Sequence, residues 1–143
     1  MLEDSMREVF DRVDACFVWQ RDEKTFGVRD FWQPFTDEVR AGLTVRRDCD
    51  DFALTVLVLG AEDYGWDLSQ MRVVRVLTDD RPATEKLNHA IAIYKGMVFD
   101  NLKGTPYPVS LCPYRFYDYS PLPLTDWRLY MGGKRFNEIG RWE

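Results

Sequence analysis

A cysteine, the chain's only histidine and an aspartate follow one another as Cys49, His89 and Asp100. A thiol attacks a carbonyl carbon as its thiolate, so it needs a base to take its proton and a third group to orient that base. Cys49, His89 and Asp100 supply those three roles for acyl transfer through a thioester. The expected geometry puts the sulfur within about 4 Å of one ring nitrogen and an Asp100 oxygen beside the other.

The elements that must position these groups can be read from the surrounding residues. Cys49 lies in Arg46-Arg47-Asp48-Cys49-Asp50-Asp51-Phe52-Ala53, where a strongly helical stretch begins. Phe52, Ala53, Val56, Leu57 and Leu59-Gly60 lay an apolar stripe on one helical face, and Asp48, Asp50 and Asp51 are capping types. The sulfur therefore sits at a helix N-terminus, where unpaired N–H groups and the dipole favour a thiolate. The neighbouring aspartates push the other way.

His89 lies in Asn88-His89-Ala90-Ile91-Ala92-Ile93-Tyr94, an alternating β-branched run that reads as a strand. Met97-Val98-Phe99-Asp100-Asn101-Leu102 reads as a second strand, joined to the first by the turn signal Lys95-Gly96. So short a connection predicts an antiparallel hairpin across which His89 and Asp100 face each other.

The three carboxylates Asp48, Asp50 and Asp51 carry a second possibility. Helix capping uses one or two of them. Three around a nucleophile repel one another and the thiolate, a cost that a bound hard cation would remove.

Several stretches of this chain resemble the bacterial transglutaminase-like cysteine peptidases of the LapG type. The resemblance rests on Asp48-Cys49-Asp50-Asp51-Phe52-Ala53 as a nucleophile motif, Asn88-His89-Ala90-Ile91 as a histidine strand and Val98-Phe99-Asp100-Asn101-Leu102 as an aspartate strand. Upstream, Asp30-Phe31-Trp32-Gln33-Pro34 with Asp37-Glu38 is similar to the aromatic segment preceding the nucleophile in that family. The matches run in the family's order from Phe17 to Trp127, with Arg47 where a glycine is common. The resemblance implies a papain-like core and cysteine peptidase activity. It also implies a calcium site at Asp48, Asp50 and Asp51.

The mechanism expected is attack of Cys49 on an amide carbonyl, with His89 as base and Asp100 fixing its tautomer. Oxyanion donors would be the Cys49 backbone N–H and an upstream group, for which Trp32 Nε1 and Gln33 are candidates. Trp32 also reads as a core aromatic. Water as the second acceptor gives a peptidase or amidase; an amine gives transglutaminase-type transfer. A catalytically silent interaction module, phage- or prophage-encoded, is the alternative from another class.

Composition sets the outer bounds. The chain has 143 residues, 45% apolar and 15% aromatic, enough for a single core, and we expect a single domain over 1–143. A net charge of -5 and a sequence pI near 5.0 argue against nucleic-acid binding, which selects basic surfaces. No apolar run reaches the roughly 20 residues of a membrane-spanning helix, and Met1-Leu2-Glu3-Asp4 opens acidic, so the chain as encoded reads as cytoplasmic. Cys16 and Cys112 form no CxxC pair with Cys49 and read as buried small hydrophobes. The partner expected is a protein or peptide substrate, and the chemistry itself requires no cofactor.

Leu2 to Cys16 has Val9, Phe10 and Val13 at helical spacing, while residues 17–47 read as irregular or partly helical. Gly65 marks the C-terminus of the nucleophile helix. Met71 to Leu77 reads as a strand, 78–87 as a charged loop, 105–123 as extended structure covering a sheet, and Arg115 to Tyr119 as one more strand. The whole predicts an α+β fold, with the nucleophile helix packed on a small antiparallel sheet.

Overall fold

The computed structural model describes residues 2–20, 34–77, 89–119 and 134–135, with side chains left aside at 77, 115–119 and 134–135. Helix α1 spans Leu2–Cys16 and buries Met6, Val9, Phe10, Val13 and Cys16, the stripe that 3.6-residue periodicity predicts. Strand β1 (Phe17–Trp19) follows, then helix α2 (Thr36–Ala41) and strand β2 (Val45–Arg47). β1 and β2 pair in parallel, Phe17 with Val45 through Trp19 with Arg47. This ribbon replaces part of the irregular stretch expected over 17–47. Only tertiary contact brings segments so far apart in sequence into one ladder.

Helix α3, Cys49–Tyr64, is the centre of the molecule. The sequence suggests one apolar stripe, yet every residue from Asp50 to Leu57 is buried. α1 packs on one side of α3 and the sheet on another, so its first two turns leave no face to water. Its C-terminus is the expected Gly65, left-handed at φ 68° with its N–H bonded to the Gly60 carbonyl. Gly60 itself has a packing role: a Cβ there would lie 2.0 Å from the Trp66 ring. Trp66 stacks on Tyr94 at 4.5 Å between centroids, locking the end of α3 to the sheet.

The sheet runs β6-β5-β4-β3-β7-β8, with neighbouring strands antiparallel. Its strands are β3 (Met71–Leu77), β4 (His89–Tyr94), β5 (Met97–Phe99), β6 (Tyr107–Pro108), β7 (Arg115–Tyr119) and β8 (Lys134–Arg135). The predicted hairpin is present as β4 and β5, turning at Lys95 (φ 49°) and Gly96 (φ 79°). Two positive φ values in a two-residue loop match the twist of paired strands. The second strand ends at Phe99, sooner than expected, and Asp100 opens the turn that follows.

Alternation along β4 does not separate core from solvent, because all six of its residues are buried. One face carries Ala90, Ala92, Tyr94 and Phe99 against α1 and α3. The other carries Ile91, Ile93 and Val98, covered by Tyr107, Val109, Cys112 and Tyr114. The Pro- and Tyr-rich segment thus covers the sheet as its composition predicts. The charged loop expected over 78–87 lies outside the described residues.

Candidate active site

Three elements converge where α3 begins. The first is the N-terminus of α3, held by an aromatic cluster in which Phe52 meets Phe10 and Phe17 edge-on and Phe17 stacks on Phe35. The Phe35 backbone N–H donates to the buried Thr55 hydroxyl at 3.0 Å, tying the segment before α2 to the same helix. Asp48 caps α3, its side chain accepting the Asp51 N–H at 3.2 Å.

Cys49 is the first residue of that helix and is partly buried. Burial pushes its thiol well above the ordinary value, and the carboxylates of Asp50 and Asp48 push the same way. The Ala90 N–H and the Cys49 N–H pull back, but less. The sulfur is therefore a neutral thiol at rest, because burial together with the aspartates outweighs the helix terminus that the sequence suggests would favour a thiolate. Its contact with the Ala90 N–H puts it against the start of β4, one residue from His89.

The second element is β4 and the third is the turn after β5. His89 Nε2 lies 2.7 Å from Asp100 Oδ1, with His89 7% and Asp100 0% exposed. The pair is diagonal, since the hairpin register matches Ala92 with Phe99 and its continuation sets Asp100 opposite Ile91. The hydrogen bonds of the described residues join His89 to Asp100 and not to Cys49.

Asp100 is the most heavily bonded side chain of the site. Oδ1 also accepts the Leu102 N–H at 2.9 Å, while Oδ2 accepts the Tyr114 hydroxyl at 2.6 Å and the Tyr107 hydroxyl at 3.3 Å. Burial alone would raise this carboxyl, but the bonds from His89, Tyr114 and Leu102 outweigh it and hold it below the ordinary carboxylate range. An ionised Asp100 can only accept, so His89 Nε2 is the donor of this bond and Nδ1 is the ring nitrogen left over. Tyr107 and Tyr114 are raised above the ordinary phenol range by burial first, and both hydroxyls stay protonated.

Sequence reasoning names neither tyrosine. The available signal is that a tyrosine buried against a sheet brings a hydroxyl that must find a partner. Cys112 also differs from its expected burial: it is half-buried and accepts from the Tyr107 hydroxyl at 3.7 Å. Cys16 is buried as expected.

Asp48 is committed to the helix cap, and Asp51 is fully buried with Arg47 Nη1 3.7 Å from its Oδ2. No group of three or more His, Cys, Asp or Glu side chains suited to a metal occurs among the described residues. The calcium site expected at Asp48, Asp50 and Asp51 is thus not assembled from the described residues alone. Trp32 and Gln33, the upstream oxyanion candidates, lie outside the described residues. No helix among the described residues is long and apolar enough to cross a membrane.

Neither a family model nor a curated protein matches this chain. Solved structures do. Calcium-bound LapG of Legionella pneumophila superposes with a TM-score of 0.54 at 17% identity, over 85% of this chain and 66% of that one. EGTA-treated LapG of the same organism gives a TM-score of 0.54 at 18% identity, over 99% of this chain and 76% of that one. In the calcium-bound comparison the chain thus spans just under two thirds of LapG's length. At such identity the likeness is one of fold: the α+β architecture, with α3 packed on a small antiparallel sheet, is transglutaminase-like.

Proposed function

We propose that this protein is a cysteine peptidase or amidase in which Cys49 is the nucleophile, His89 the general base and acid, and Asp100 the residue that orients His89. The observation that carries this reading is the buried His89–Asp100 bond of 2.7 Å, which spends Nε2 and leaves Nδ1 for a thiol at the start of α3. An imidazole–carboxylate pair held out of solvent is costly to desolvate, and such pairs concentrate at functional sites.

Because the thiol is neutral at rest, proton transfer accompanies attack. His89 Nδ1 takes the Cys49 proton as the sulfur bonds to the amide carbon, and the carbonyl electrons move onto oxygen. The Cys49 N–H at the helix start donates to the developing oxyanion, and Trp32 or Gln33 supplies the second donor. Collapse expels the amine, which leaves with the proton from His89. Water then attacks the thioester with His89 as base, releasing the acid and restoring the thiol. A primary amine in place of water would give the transglutaminase-type product. A protein or peptide is the substrate class this chemistry needs, in line with the fold shared with LapG.

Incubation with a peptide library, read by mass spectrometry, tests the reading. Wild type should generate new termini and Cys49→Ala none. With methylamine added, N-methyl amides in place of free acids would identify transfer to amines. Identical digests from wild type and Cys49→Ala would show that Cys49 performs no acyl transfer, and an absence of new termini in both would leave a silent interaction module.

A further inference from the structure

We propose that Tyr114, supported by Tyr107, is a positioning residue for the His89–Asp100 pair: its hydroxyl pins Asp100 Oδ2 so that Oδ1 alone is presented to the imidazole. The inference deepens the peptidase reading and rests on it for its kinetic arm only.

A carboxylate at the end of a strand can rotate about its terminal torsion, which is broad for aspartate. If it turns, the oxygen facing His89 changes and the Nε2–H bond is lost or bent. Four donors prevent this. The His89 ring and the Leu102 N–H hold Oδ1 at 2.7 and 2.9 Å, and Tyr114 and Tyr107 hold Oδ2 at 2.6 and 3.3 Å. The shortest of these comes from Tyr114, as expected for a hydroxyl donating to an ionised oxygen.

Tyr114 acts on the imidazole a second way. Its ring meets His89 edge-on, with centroids 5.4 Å apart and planes at 80°. One residue thus sets both the plane of the base and the rotamer of its carboxylate. Tyr107 sits beside it and has a second partner in Cys112 Sγ at 3.7 Å, so its hold on Oδ2 is shared. Both tyrosines belong to the segment covering the sheet face opposite α3. The dyad is therefore clamped from the side away from the nucleophile.

The single histidine makes the test direct, because ring-labelled protein gives one set of imidazole signals. In wild type, ¹⁵N spectra of the free protein should show the Nε2–H tautomer with a slowly exchanging, downfield Nε2 proton. Tyr114→Phe keeps the ring and removes the hydroxyl. It should move that proton upfield and mix the tautomers, and Tyr107→Phe should do so less. In turnover, Tyr114→Phe should lower kcat about tenfold with KM nearly unchanged, the scale of one lost bond to a charged group. The double variant should exceed either. Unchanged imidazole signals in Tyr114→Phe and in the double variant would overturn the proposal, as would a fall in kcat unaccompanied by any change in those signals. The spectra need no activity, so failure of the peptidase reading and failure of the clamp are told apart.

Discussion

The two ends of α3 use the same kinds of side chain for different purposes. At its C-terminal end Arg40 reaches Asp63 at 2.9 Å and Glu62 at 2.8 Å, and Arg12 reaches Asp63 at 3.4 Å and the Tyr64 hydroxyl at 3.1 Å. These groups face water, with Arg40 35% and Glu62 53% exposed. At the N-terminal end the pair is His89 with Asp100, and no water reaches the carboxylate. Exposed ion pairs contribute about 0.2–1 kcal/mol each, because solvent screens them and long side chains lose entropy. A buried pair is expensive to desolvate, yet it is held in one arrangement. Solvent exclusion, more than residue type, separates the end suited to tying helices together from the end suited to moving a proton.

The largest expected effect, and the sharpest break between the ends, is that Cys49→Ala abolishes turnover while leaving the melting temperature within a few degrees. Loss of cooperative melting would instead make Cys49 a structural residue. Asp100→Asn comes next, with kcat down by about 10³–10⁴ through the wrong imidazole tautomer. Single-turnover kinetics separates that loss from altered binding.

At the other end, Gly60→Ala should cost about 1–3 kcal/mol or more in chemical denaturation, since the new methyl meets the Trp66 ring and the packing there cannot give. Its effect on kcat of the surviving folded protein should be small. Arg40→Ala should cost about 1 kcal/mol or less, with the loss shrinking in high salt and kcat unchanged.

The pH dependence follows from the same pairs. Arg40 bonding holds the Asp63 carboxyl below its ordinary value. A depressed carboxylate contributes stability that is complete above the ordinary carboxylate pKa and is lost as pH falls through the folded-state value. Arg40→Ala should therefore lessen the acid-side loss of stability, measured by denaturant titration between pH 5 and about pH 2. The smallest effect expected is that of calcium. Millimolar calcium should leave the melting temperature within about 1 °C, as Asp48 and Asp51 are already engaged. A rise of several degrees would identify a calcium site in the folded protein.

Much of this molecule follows from local sequence alone. The spacing of Val9, Phe10 and Val13 makes α1, Asp48 and Gly65 bound α3, and Lys95-Gly96 turns the hairpin. Caps, periodicity and two-residue turns depend on neighbours a few positions apart, so they can be read without a fold. His89 and Asp100 were legible as a pair, because a base needs an orienting carboxylate, and the structure bonds them. The electrostatics was not. Nothing local says that burial would join Asp48 and Asp50 in keeping the thiol neutral, or that β1 and β2 would pair across 25 intervening residues. Nor does anything near Asp100 name Tyr107 and Tyr114 as its partners. Burial and long-range pairing are properties of the packed chain. The sequence determined which groups are available for chemistry, and tertiary structure decided which of them are desolvated, which are spent on caps and ion pairs, and which oxygen of Asp100 faces His89.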